Sequence, residues 1–129
     1  MYYVLFVDLF VVINKIMITN NNDTLHFIKC NKELQAISLK DITYINCDGY
    51  ICSIYNEEDK LIASQTKLLK NYETELEQFG FVRINRKTII NAKSIKQIDL
   101  KNRKIILSNN KIMTVSRRKL IILRKKFEN

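Results

Sequence analysis

Residues 43–55 read TYINCDGYICSIY, and the pattern of this stretch recurs along most of the chain. Residues 43–47 and 51–55 are two short, mainly apolar runs with polar side chains set among them, and their period is mostly two, which favours β-strands. Asp48 and Gly49 lie between the two runs, and this pair favours a tight turn. The stretch therefore predicts two strands joined by a hairpin.

Short runs of the same period on both sides of this hairpin predict about ten strands in all. The remaining predicted strands cover residues 25–30, 34–38, 61–64, 82–84, 88–90, 95–99, 104–107 and 111–115. Asn109 and Asn110 predict a hairpin turn before the last strand. The predicted fold class is mostly β, with short strands in small antiparallel sheets.

Residues 66–79 have a helical period instead. Their apolar side chains recur three or four positions apart, at Leu68, Leu69, Tyr72, Leu76 and Phe79. Thr66 suits the N-cap of a helix, and Gly80 suits a left-handed C-terminal cap. We predict one central amphipathic helix over this range.

A second, short helix is predicted at the C-terminus, over residues 117–126. Ser116 precedes it and is expected to cap its first turn. Four apolar side chains are expected to anchor the helix inward: Leu120, Ile121, Leu123 and Phe127.

The first eighteen residues, MYYVLFVDLFVVINKIMI, are strongly apolar, but Asp8 interrupts them. A membrane span needs about 20 predominantly apolar residues, and a central aspartate opposes insertion. Three interpretations stay open: a segment that packs on the domain or a partner, a membrane-associating stub, or a start site placed too early. The polar run at residues 20–23 predicts a boundary, so residues 1–23 form an extension and residues 24–129 the domain.

The charge of the chain is unevenly distributed. The net charge is +9, but the 47 residues from Arg83 onward carry fifteen basic and two acidic side chains, a net charge of +13. Residues 24–82 carry six basic and nine acidic side chains, a net charge of −3. Such a difference between halves indicates a polyanionic partner on one side of the molecule, whereas a solvated lysine surface is the alternative.

Metal binding and catalysis have little support. The odd set Cys30, Cys47 and Cys52 with the single His26 makes neither a disulfide framework nor a metal site. We expect these cysteines to be buried or half-buried thiols in a reducing cytoplasm. The acidic residues 57–59 are interpreted as a solvated loop, and nothing resembles a catalytic triad, so no enzyme activity and no cofactor are predicted.

The richest segment for chemistry is FVRINRKTIIN at residues 81–91. Its apolar residues face inward in the predicted strands, which leaves four polar side chains outside: Arg83, Asn85, Arg86 and Lys87. Arginine can bind guanine with two hydrogen bonds, asparagine can bind adenine in the same way, and lysine mostly contacts phosphate. The alternative is an ordinary solvated hairpin.

A second basic cluster, SRRK, joins the last strand to the C-terminal helix. Arg117, Arg118 and Lys119 place three cations at a helix start, where the helix dipole favours anions. An incoming phosphate or base edge would explain them, whereas chance charge on a helix is the alternative. Tyr50, beside the predicted turn at residues 48–49, is a further candidate for contact with sugar or base, or else a plain hairpin tip.

Four blocks in this order resemble the LytTR (LytR/AlgR-type) DNA-binding domain family. Residues 39–50, LKDITYINCDGY, are similar to its opening DI-x-YIE-x-xG-x-Y, and residues 67–77 to L-x-x-L-E-x-x-L. Residues 81–91 resemble F-x-R-x-H-R-S-y-I-V-N, and residues 115–118 the closing P-V-S-R-R. Each motif is short, but the four together span about a hundred residues in the right order, which makes the match specific.

The resemblance implies about ten strands in three small antiparallel sheets. It also implies a bacterial-type regulator that binds direct repeats in promoters through loops in successive major grooves and bends the DNA. The contact positions implied for base and phosphate are Asn85, Arg86, Lys87, Arg118 with Arg117 beside it, and the vicinity of Tyr50. Asn85 replaces the usual histidine and Lys87 the usual serine or asparagine, so the target sequence does not carry over.

The sequence therefore predicts a cytoplasmic transcriptional regulator that binds double-stranded DNA. A homodimer on repeated half-sites is one option, and the sequence leaves the oligomeric state open. The residues before Thr24 are too few for a receiver domain, so no phosphorylation switch is expected inside the chain. The alternative is a regulatory module of the same fold that docks on a membrane or a protein through residues 1–18 and binds DNA weakly or not at all. Single-stranded RNA binding would need aromatic stacking platforms, and the basic half has only Phe127.

Overall fold

The computed structural model describes residues 25–30 and 33–127, with side chains over residues 35–125. The chain divides into two units, Met1–Ile42 and Thr43–Asn129. The apolar run over residues 1–18 and the predicted boundary at residues 23–24 lie outside the described residues.

The first unit contains one antiparallel hairpin. Strand β1 (Leu25–Cys30) pairs with β2 (Glu33–Ser38) over six residue pairs. A 3₁₀ helix (Leu39–Asp41) follows, and Ile42 closes it by donating its N–H to the Leu39 carbonyl at 3.1 Å. Both strands agree with the predicted ones.

The second unit begins with a five-stranded antiparallel sheet in the order β5-β4-β3-β7-β6. Its strands are β3 (Tyr44–Asp48), β4 (Ile51–Tyr55), β5 (Leu61–Thr66), β6 (Phe81–Arg83) and β7 (Thr88–Asn91). The hairpin read from residues 43–55 is the centre of this sheet, because β3 pairs with β4 on one side and with β7 on the other. This pairing places the β6–β7 segment beside the first hairpin.

A three-stranded antiparallel sheet follows, in the order β10-β9-β8. Its strands are β8 (Ile95–Asp99), β9 (Lys104–Leu107) and β10 (Ile112–Thr114). The predicted turn at residues 109–110 is confirmed, with Asn110 in the left-handed region at φ 69°. The described residues therefore form ten strands in three antiparallel sheets, as predicted.

The central helix is shorter than predicted. Helix α1 (Leu69–Leu76) continues as a 3₁₀ turn (Glu77–Phe79), and Gly80 ends it in the left-handed conformation at φ 84°, as predicted. The prediction that Thr66 caps the helix is wrong. Thr66 is the last residue of β5 and pairs with Ile51, so the strand ladder holds it extended.

Helix α2 (Arg117–Phe127) forms the C-terminus of the described chain. Ser116 caps it as predicted, since its Oγ accepts the Lys119 N–H at 3.2 Å. Leu123 is buried, but the prediction that Ile121 faces inward is wrong: it is 61% exposed. Residues 120 and 123 share one face at helical spacing, and residue 121 lies outside it. In the described part of the chain no helix has both the length and the apolar character that crossing a membrane requires.

One hydrophobic cluster joins the two sheets of the second unit to α2. Its buried members are Tyr44, Val82, Ile84, Ile90, Ile105, Leu107, Val115 and Leu123. Burying each large aliphatic side chain contributes roughly 1.5–3 kcal/mol, as an upper figure. The cluster therefore fixes the basic start of α2 relative to the five-stranded sheet.

The acidic β4–β5 loop is not simply solvated, which corrects the prediction. The Asp59 carboxylate accepts a hydrogen bond from the Tyr44 hydroxyl and forms an ion pair with Lys111 Nζ at 3.0 Å. Glu57 Oε1 accepts a hydrogen bond from the Ser108 hydroxyl at 2.7 Å. This acidic clamp (Glu57 and Asp59) joins the larger sheet to the smaller one.

Cys47 and Cys52 are joined by a disulfide, so the prediction of free thiols is wrong for this pair. The β3–β4 register places them directly opposite each other, with 4.0 Å between their Cα atoms. Both are buried, as predicted. The number and spacing of the cysteines did not predict this bond, because the bond depends on the register of β3 on β4.

Candidate nucleic-acid interface

The first edge of the candidate interface is the β6–β7 loop, residues 85–87. The Ile84 N–H donates to the Thr88 carbonyl at 3.0 Å and closes the loop. Asn85 Oδ1 accepts the Lys87 N–H at 2.8 Å, which is a local turn that asparagine favours. Arg86 and Lys87 are both exposed. The loop therefore presents two cations to solvent.

The second edge is the segment from the end of β10 into α2, and it lies against the first. The Ser116 N–H donates to the Ile84 carbonyl at 2.9 Å. Asn85 Nδ2 donates to the Thr114 carbonyl at 2.8 Å. The two basic clusters found in the sequence are therefore neighbours, although about thirty residues separate them along the chain.

Arg117 and Arg118 occupy the first two positions of α2, and both are exposed. Among the residues with described side chains, neither they nor Arg86 and Lys87 form an ion pair. These four cations are consequently available to a polyanion without first breaking a bond to a carboxylate of that part of the chain.

Arg83 and Lys119 are placed differently, because both contact a carboxylate of the acidic half. Arg83 Nη1 lies 3.4 Å from Glu73 Oε1, and Lys119 Nζ lies 3.3 Å from Glu73 Oε2. Arg83 also donates to the carbonyls of Asn85 and Arg86, at 3.1 and 2.9 Å. Both side chains are partly buried, and these contacts are all with groups of the protein itself.

Tyr50 lies at the tip of the β3–β4 hairpin and is 70% exposed. Gly49 precedes it with φ 62°, a conformation that suits glycine. The Cys47 N–H donates to the Lys87 carbonyl at 2.8 Å, which ties this hairpin to the β6–β7 loop. Tyr50 therefore belongs to the same region as the two basic edges.

A groove of about 500 Å³ runs between the hairpin, the start of α1 and the β6–β7 loop. It is lined by Cys47, Gly49, Leu68, Leu69, Lys70, Arg83, Arg86 and Lys87. Four of these residues are cations and none is acidic. Sequence reasoning missed Lys70, because it belongs to the acidic half and reaches the basic loop only through the fold.

The pKa values of Asp59 in the acidic clamp and of its partner Tyr44 are shifted from their usual values, and both groups lie away from the two edges. The hydrogen bond from Tyr44 and then the Lys111 ammonium lower the pKa of Asp59. Burial, followed by the hydrogen bond to Asp59, raises the pKa of Tyr44. In the described chain, no three histidine, cysteine, aspartate or glutamate side chains are grouped to hold a metal ion.

Comparison with known proteins gives a consistent result. The model of the LytTr DNA-binding domain family matches residues 32–128. A solved LytTr DNA-binding domain, from a methyl-accepting/DNA response regulator of Bacillus cereus, superposes with a TM-score of 0.65. The two chains are 18% identical, and the match covers 78% of this chain and 94% of the other. At that identity the superposition shows the fold alone. A search of curated proteins found no match to this chain.

Proposed function

Because the chain belongs to the LytTR DNA-binding domain family, we propose that it is a transcriptional regulator that reads double-stranded DNA in the major groove. The observation that carries the proposal is the backbone bond from Ser116 to Ile84, which sets two edges with exposed arginines side by side. A major groove about 12 Å wide admits a helix or a two-stranded ribbon.

We assign base reading to Arg86 and Arg118, one from each edge. A guanidinium can bind guanine O6 and N7 with two hydrogen bonds. Lys87, Arg117 and Lys70 flank them and are assigned to phosphates, which position the protein without reading sequence. Tyr50 is assigned to sugar or base contact at the hairpin tip.

Asn85 has a double role in this proposal. Its amide already donates to the Thr114 carbonyl and accepts from the Lys87 N–H. An amide has two N–H groups and two oxygen lone pairs, so one of each is left for a base or phosphate. The family's usual histidine position is thus occupied here by a side chain that also holds the loop.

We further propose that two copies bind direct repeats in promoters, about one helical turn apart, as a homodimer on the DNA in the cytoplasm. The apolar residues 1–18 remain a proposed contact for a membrane or a partner protein.

The test is selection of bound duplexes from a random DNA pool by the 129-residue chain. We expect two spaced half-sites, and binding to the recovered duplex should weaken about 500-fold between about 50 and 200 mM salt if five phosphates are contacted. Recovery of no motif, with binding indifferent to salt, would favour the docking module instead.

A further inference from the structure

Glu73 connects the two edges of the candidate interface through ion pairs with two cations. It lies on α1, and its two carboxylate oxygens bind different cations: Oε1 lies 3.4 Å from Arg83 Nη1, and Oε2 lies 3.3 Å from Lys119 Nζ. Arg83 ends β6, directly before the first edge, and Lys119 lies in the first turn of α2, within the second edge. One carboxylate therefore spans both edges.

The Arg83 guanidinium passes this constraint to the loop. Its Nε donates to the Asn85 carbonyl at 3.1 Å, and its Nη2 donates to the Arg86 carbonyl at 2.9 Å. Because the guanidinium is planar and its donors have fixed directions, holding Nη1 on Glu73 also fixes the other two bonds. The ion pair with Glu73 on α1 thereby fixes the backbone conformation at Arg86.

Lys119 passes the same constraint to α2. Its backbone N–H binds Ser116 Oγ at 3.2 Å, while its side chain reaches Glu73. The side chains of Arg83, Lys119 and Glu73 are only 22%, 25% and 32% exposed. Solvent therefore screens these bridges less than it screens fully exposed pairs.

We propose that Glu73 is a positioning residue for DNA binding, which bridges Arg83 and Lys119 so that Arg86 and Arg118 are held in the relative geometry that one DNA half-site requires. This inference rests on the proposed function. It also means that Arg83 and Lys119 act within the protein and do not contact phosphates. A loop and a helix turn that are ordered before binding do not have to be ordered during it, which favours affinity.

The test compares Glu73→Gln with Glu77→Gln in the 129-residue chain. The probe is a duplex of about 30 base pairs that carries the two selected half-sites. Glu77 is exposed and lies just past α1, so the control removes the same charge nearby. Loss of a negative charge alone would strengthen DNA binding in both variants. We expect instead that Glu73→Gln weakens it about tenfold, and that Glu77→Gln leaves it unchanged or slightly stronger.

Two further readouts separate positioning from direct contact. The slope of log affinity against log salt should stay the same in Glu73→Gln, because no phosphate contact is gained or lost. Arg86→Ala should make Glu73→Gln less costly, because coupled residues are not additive. Tighter binding with a steeper slope in Glu73→Gln would overturn the inference, as would losses that simply add.

Lys119→Gln is the second variant, should Glu73→Gln lose its cooperative unfolding. It removes one arm of the bridge and should weaken binding with an unchanged slope, whereas a slope smaller by about 0.9 would mean that Lys119 contacts a phosphate. If the unaltered protein binds the duplex and neither variant differs from it, only this inference fails. If the unaltered protein does not bind, the proposed function fails with it.

Discussion

Arg86 and Arg118 carry the recognition chemistry at the scale of single residues. Each is exposed, and each extends from an edge that a backbone bond ties to the other. Replacing either one by alanine should cost about 1–3 kcal/mol at the selected site, because a two-bond contact to guanine is lost.

Titration of labelled duplex with each variant measures this cost. Lys101→Ala is the control, since Lys101 is an exposed cation in the β8–β9 turn and not on either edge. It should change the affinity little. Equal losses in all three variants would mean that only overall charge matters and that the assignment of these two arginines is mistaken.

The residue types of the site could be predicted from the sequence. Which of the cations pair with a carboxylate inside the protein could not. Arg83 and Lys119 are cations, as Arg86 and Arg118 are, yet both pair with a carboxylate on α1. That contact joins residues 46 positions apart for Lys119. No local pattern records such a pairing.

At the scale of elements, the acidic clamp links the β4–β5 loop to the β9–β10 hairpin, and we expect it to make stability depend on pH. The pKa of Asp59 is lowered in the fold by Tyr44 and Lys111. A lowered folded pKa gives stability that is present above the unfolded pKa, about 3.9, and is lost as the pH falls through the folded value.

Asp59→Asn should therefore lower the free energy of unfolding at pH 7 by about 0.5–1 kcal/mol, since the pair is partly exposed, and should flatten its decline in acid. Asparagine suits the site because Asp59 has φ 61°, which both residues tolerate. Urea unfolding at several pH values measures both effects. Glu58→Gln is the control, because among the described residues Glu58 pairs with the exposed Lys60. An acid profile identical in Asp59→Asn and wild type would contradict the account.

Element types followed closely from periodicity, whereas ends and pairings depended on neighbours. All ten strands were predicted, since alternation of apolar residues reports a half-buried sheet face. The start of α1 was missed because Thr66 is held by its strand partner Ile51. The bond between Cys47 and Cys52 was missed for the same reason, as it requires the register of β3 on β4.

At the scale of the whole molecule, charge distribution is the property that the sequence reports best. The excess of +13 after residue 82 indicated a polyanion partner before any fold was known. The structure modifies this excess, because Asp59 and Glu73 of the acidic half bind Lys111, Arg83 and Lys119. The number of phosphate contacts should accordingly be smaller than the number of cations suggests.

The adjacency of the two edges is the feature on which the account depends. It arises from the bonds of Ile84 to Ser116 and of Asn85 to Thr114. Four family blocks in order implied the fold and contact positions in both the third and the fourth block, and the structure supplies the individual bonds that join these two blocks.

The most direct test repeats the selection from a random DNA pool with Arg86→Ala and with Arg118→Ala, alongside the unaltered protein. Because every bound copy carries the substitution, we expect each variant to relax base preference at corresponding positions of both half-sites. The positions relaxed by Arg86→Ala and by Arg118→Ala should lie within one repeat, while the spacing of the half-sites stays the same. Positions relaxed by the two variants that do not fall within one repeat, or an unchanged motif in both variants, would contradict the claim that the two edges bind one half-site together.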